Sequence, residues 1–141
     1  MTTLKRQLHD NLVALISLLV ALSALGYSAW RAEVTEDNRS LREAAFAMLK
    51  TAEELQGVVD FAHYDGNLDA GNPIKGWGKV LYLRDLGIVM PEPVAARAQA
   101  LQAVWARDWE AMPHDPAAVR RITAAIEALR GEVRALIVRL K

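Results

Sequence analysis

Residues 12–30 read LVALISLLVALSALGYSAW, and no charged side chain occurs between Asp10 and Arg31. As a helix, about 20 residues rising roughly 1.5 Å each match the ~30 Å hydrocarbon layer of a bilayer. The stretch therefore predicts a transmembrane helix over residues 11–30. Tyr27 and Trp30 stand near its end, where an interfacial aromatic belt would hold them as membrane-interface anchors. Working outward, residues 1–10 form a short tail and residues 31–141 are left for a water-facing domain.

A basic start followed by an apolar run also opens a secretory signal peptide, and Ala24-Leu25-Gly26 offers small residues for cleavage. The length of the uncharged run and the Tyr27/Trp30 pair favour a retained anchor, with cleavage as the alternative. Lys5 and Arg6 favour a cytoplasmic N-terminus, although Arg31, Arg39 and Arg42 flank the other side. The expected location is a bacterial inner membrane, single-pass, with the C-terminal domain in the periplasm. Asn38-Arg39-Ser40 fits a glycosylation sequon but falls in a helical stretch, so it carries little weight.

Composition removes several chemistries. The chain has 141 residues and no cysteine, which excludes disulfides, thiolate metal sites and a cysteine nucleophile. Its 17 basic and 17 acidic residues balance, so no nucleic-acid partner is expected. Within that balance, acids such as Glu33, Glu36, Asp37, Glu43, Glu53 and Glu54 gather early in the domain. Arg120, Arg121, Arg130, Arg134, Arg139 and Lys141 gather after Pro116. The charges suit two helices laid antiparallel; a basic tail for anionic lipid or nucleic acid is the alternative, interrupted by Glu127 and Glu132.

The domain reads as all-α. Val34, Leu41, Ala45, Met48, Ala52, Leu55, Val59 and Ala62 recur at three- and four-residue steps and mark one helix stripe. Phe46, Leu49, Val58 and Phe61 widen it, as burial in a bundle requires. Residues 63–78, HYDGNLDAGNPIKGWG, read as a loop by turn chemistry. A short helix over residues 77–86 is expected next, with Gly87 as a left-handed C-cap. Pro91 and Pro93 announce a third helix carrying Val94, Ala98, Leu101, Trp105, Asp108/Trp109 and Met112. Asp115-Pro116 is an N-cap with proline at the first helical position. The last helix carries Val119, Ile122, Ile126, Leu129, Val133, Leu136 and Leu140. The predicted architecture is a transmembrane helix continuing into an antiparallel bundle of three to four helices.

No catalytic constellation is visible, and an enzyme is not expected. The serines lie in or beside the span without a histidine base, and no phosphate loop or dinucleotide fingerprint occurs. Asp65-Gly66-Asn67-Leu68-Asp69 matches the first five positions of a calcium loop. The sixth and twelfth positions, Ala70 and Gly76, lack the defining glycine and glutamate. With His9, His63 and His114 the only histidines, neither a metal site nor a cofactor is expected. The candidate ligand or partner site is His63, Tyr64, Asp65, Asn72 and Trp77, polar groups among aromatics at the mouth of the bundle. A helix-ending histidine and a self-bonded polar turn are the structural alternatives. Trp105 and Trp109, one turn apart, are either core or a docking face. Asn38 either faces water or sets register between paired rods.

The run Asn38-Arg39, Glu54-Leu55-Gln56, Ala62-His63-Tyr64-Asp65, Gly71-Asn72-Pro73 and Gly76-Trp77 resembles an uncharacterised family of small single-span bacterial membrane proteins. The resemblance covers most of the chain and implies no activity. The layout is also similar to the helical sensory domains of bacterial chemoreceptors, from which it departs in lacking a second span and a signalling module. The expected function is an accessory or assembly subunit of a membrane complex, in contact with the lipid bilayer and with another membrane protein or a second copy. The alternative is a sensory module that binds a small ligand or cation at residues 63–77.

Overall fold

The computed structural model describes residues 2–67 and 69–140, with side chains from residue 11 onward. Lys5, Arg6 and His9 as side chains, together with Leu68 and Lys141, lie outside the described residues. Every regular element among the described residues is helical: α1 (Thr2–Asp60), a π-helical turn (Phe61–Asp65), α2 (Pro73–Gly87), α3 (Val94–Asp108) and α4 (Pro116–Arg139). The chain divides into two units, residues 1–39 and residues 40–141.

In the first unit, one helix is long and apolar enough to cross a membrane. Its apolar side chains are exposed on all sides, from Leu12 at 46% to Val13 at 71%. Ser17 and Ser23 donate their hydroxyls to the carbonyls of Val13 and Leu19, four residues back. Both hydroxyls are thereby satisfied on their own helix.

In the second unit, all four helices contribute to one core. From α1 come Ala45, Met48, Ala52, Leu55 and Val59, at three- and four-residue steps. From α4 come Val119, Ile122, Ile126, Leu129, Val133 and Leu136, on the same alternation. Both stripes follow the sequence reading, with exceptions at the margins. Phe46 and Phe61 stay 54% and 45% exposed, because the expected stripe is wider than the face the neighbouring helices cover, and Val34, 43% exposed, belongs to the first unit. Polar links along the α1–α4 seam come in order: Arg42 donates to the Leu140 carbonyl, Glu53 pairs with Arg130 at 2.9 Å, and Gln56 donates to Thr123 at 3.2 Å. The partners descend along α4 as α1 ascends.

Two boundaries differ from expectation for stated reasons. Helix α2 begins at Pro73, not Trp77, because Asn72 Oδ1 accepts the Ile74 N–H at 2.9 Å and Pro73 needs no N–H partner. Gly87 is not a left-handed cap: it closes α2, and only Gly66 has a positive φ among the described residues. Its reason is proximity. A Cβ built there would stand 2.8 Å from Ala98 Cβ, so α3 passes where only a hydrogen fits. Helix α3 lacks a side-chain cap from Pro93; Glu92 reaches in from one residue earlier to accept the Ala96 N–H at 3.1 Å. Helix α4 starts as read, with Asp115 Oδ1 accepting the Ala117 N–H at 2.8 Å.

Candidate functional site

The loop chosen from sequence is built around the end of α1. The π turn Phe61–Asp65 closes on Gly66 (φ 60°), and the Asn67 N–H returns to the Phe61 carbonyl at 3.1 Å. Asn67 Oδ1 accepts the N–H groups of Asp69 and Ala70 at 3.1 and 2.9 Å, so this side chain is spent on its own turn. His63 Nδ1 donates to the Met112 carbonyl at 3.0 Å and ties the loop to the turn between α3 and α4. Tyr64 stacks edge-on to His63, centroids 4.7 Å apart, and remains largely exposed, as does Asp65.

The other two predicted members serve elsewhere. Asn72 caps α2. Trp77 packs on Trp105 and Trp109 with centroids 6.5 and 6.4 Å apart. Among the described contacts, only His63 and Tyr64 of the five candidates meet one another. Trp105 is fully buried and belongs to the interior; Trp109 alone of that pair keeps partial exposure. Tyr27 and Trp30 lie 6.0 Å apart, both about 60% exposed.

Two concave surfaces were not anticipated. The first, about 460 Å³, lies between α1 and α2 and is lined by Lys50, Thr51, Glu54, Lys75, Lys79 and Tyr82. Its charges are largely paired off. Lys79 closes on Glu54 at 2.5 Å and Lys75 on Asp69 at 2.8 Å, and each carboxyl is held below its usual value by the hydrogen bond from its lysine.

The second, about 360 Å³, lies between α3 and α4. Ala100, Val104, Ala124, Ala125 and Ala128 line it together with Arg97, Arg107 and Arg121. Beside it sits Asp108, 3% exposed. Arg107 donates to its two oxygens at 3.1 and 2.9 Å, and Arg121 at 2.9 and 3.0 Å. These bonds, Arg121's first, hold the Asp108 carboxyl far below the ordinary carboxylate range, and both guanidiniums are driven further up. A signal for this cluster was present. Position 108 falls on the apolar stripe of α3, where a carboxylate survives burial only with cationic donors around it.

No family model, curated protein or solved structure matches the chain. What fold and sites define, among the described residues, is a helical protein with one candidate membrane span and a four-helix packed unit.

Proposed function

We propose that this chain is a single-pass membrane protein whose helical domain acts, without catalysis, as an accessory or assembly subunit through protein–protein contacts. One observation carries the reading: no residue of the apolar stretch 11–30 is buried by the chain's own fold. Apolar surface left in water costs about 25 cal/mol per Å². With Leu19 and Leu25 each more than 60% exposed, that cost falls along the whole segment unless lipid or a partner covers it. The segment lies in the inner membrane of a bacterium with the N-terminus inside, on the strength of Lys5 and Arg6. The outward domain is an antiparallel bundle, a reading supported by the descending order of α4 partners along α1.

The test is a mild-detergent pull-down of the full-length protein from native membranes, beside a chain lacking residues 1–30. A stoichiometric membrane protein retained only by the full-length form is the expected result. Isolation of both forms alone would refute the reading. A second reading, a sensory module at residues 63–77, is favoured by the π turn, a geometry common at functional sites, with Tyr64 exposed beside it. It requires that His63→Ala or Asp65→Ala remove a ligand-dependent rise in melting temperature, whereas the accessory role leaves partner retention intact in both variants.

A further inference from the structure

The cluster at Asp108 leaves guanidinium donors unused. Arg107 and Arg121 each grip Asp108 through the Nε–Nη2 edge. The Nη1 donors of both remain uncommitted among the described residues. Asp115 approaches Arg121 at 3.8 Å, while its other oxygen caps α4. Arg97, ten residues before Arg107 on the same helix, adds a third guanidinium roughly 15 Å along the groove. Two guanidiniums thus meet two carboxylates at Asp108 while the third stands apart along the groove, and the side chains of Arg107 and Arg121 stay 61% and 45% exposed.

A buried ion pair contributes little net stability compared with well-packed apolar groups. What Asp108 does achieve is to hold two planar forks in fixed positions, so a ligand need not order them on binding. Planar guanidinium forks match carboxylate and phosphate oxygens. The alanine lining beside them offers no polar side-chain partner, which suits an aliphatic chain.

We propose that the α3–α4 groove binds an anionic amphiphile, its carboxylate or phosphate head on the Nη1 groups of Arg107 and Arg121 and its hydrocarbon tail along Ala100, Ala124 and Ala128 toward Arg97. A free fatty acid and a phospholipid share this chemistry. The inference does not depend on the accessory role and stands or falls separately from the pull-down.

The experiment measures binding to the full-length protein in maltoside micelles by native mass spectrometry and thermal shift. The probes are palmitate, a lysophosphatidate of the same chain length, monopalmitoyl glycerol and inorganic phosphate. Saturable one-to-one binding of palmitate or lysophosphatidate is expected, about tenfold or more tighter than the neutral-headed probe, with none for phosphate alone. The tighter of the two anionic probes identifies the source. Arg107→Gln, which leaves Arg121 on Asp108, weakens binding about tenfold. Ala124→Leu fills the groove from an exposed position and abolishes binding, and Lys50→Gln in the other groove changes nothing. Should Ala124→Leu lower the ligand-free melting temperature, Arg107→Gln alone decides. Equal binding of the neutral probe, no saturable binding, or indifference to Arg107→Gln overturns the proposal; no saturable binding is also the result if the groove serves an acidic helix of a partner protein.

Discussion

Replacing Gly76 by alanine tests how α2 sits on α3. A Cβ at residue 76 would fall 2.3 Å from Trp105 Cζ2 and 2.4 Å from Cη2. Carbon atoms settle at about 3.5–4.0 Å, so the overlap exceeds ~1 Å. Trp105 has no room to yield: it is fully buried, and Trp77 packs on its ring. Forcing a methyl into such a core costs about 1–3 kcal/mol. Gly to Ala in a helix interior returns up to about 1 kcal/mol. The net is a loss of up to about 2 kcal/mol, a fall in melting temperature of up to roughly 16 °C for a unit of this size. Gly78→Ala is the matched control on the same helix, since a Cβ there meets nothing within 4 Å. It should gain about 0.5–1 kcal/mol from propensity alone. Melting of the full-length protein in micelles, followed by circular dichroism and tryptophan fluorescence, reads both signs. A Gly76→Ala protein as stable as Gly78→Ala would refute the close approach of α2 to Trp105.

Asp108→Ala leaves two guanidiniums without their shared acceptor but exposed enough to hydrate, and is expected to cost about 1–3 kcal/mol in denaturant unfolding. Because the folded-state pKa of Asp108 is depressed, its contribution is fully present above the unfolded value and is lost as pH falls through the folded one. Melting temperature should therefore hold down to about pH 4 and decline in strong acid, and Asp108→Asn should remove that part of the acid dependence. Asn72→Ala and Asp115→Ala each delete a helix N-cap, for about 1 kcal/mol apiece in the same unfolding assay. Leu19→Arg places a charge in the middle of the apolar window, at a cost of about 2.5–3.5 kcal/mol for insertion. Carbonate extraction of membranes should then release the protein, and retention of the variant would count against a span at residues 11–30.

Local pattern carried much of this fold because the signals that set it are local. Asp115-Pro116 starts α4 through a carboxylate accepting a neighbouring N–H, and no distant residue takes part. The α1 and α4 stripes recur at three- and four-residue steps because a helix has only one face to bury. Asn72-Pro73 carried the same start signal as Asp115-Pro116, yet the density of Gly, Asn and Pro around it hid the first turn of α2. Of the candidate loop, the self-bonded turn at Asn67 is equally local. The partners of His63 and Trp77, Met112 and the Trp105/Trp109 pair, lie some thirty to fifty residues away and leave no trace in adjacent sequence.

By itself the sequence determined the helical class, the apolar segment and the stripes, all of which follow from side-chain periodicity and charge along one element. Tertiary structure alone decided which glycines are spacers: Gly76 and Gly87 look like any helix glycine until Trp105 and Ala98 arrive from another helix. It also decided that Asp108 is sheltered and doubly gripped. Arg107 adjoins it in the chain, but Arg121 comes from the next helix, and a buried charge is tolerable only once both are in place.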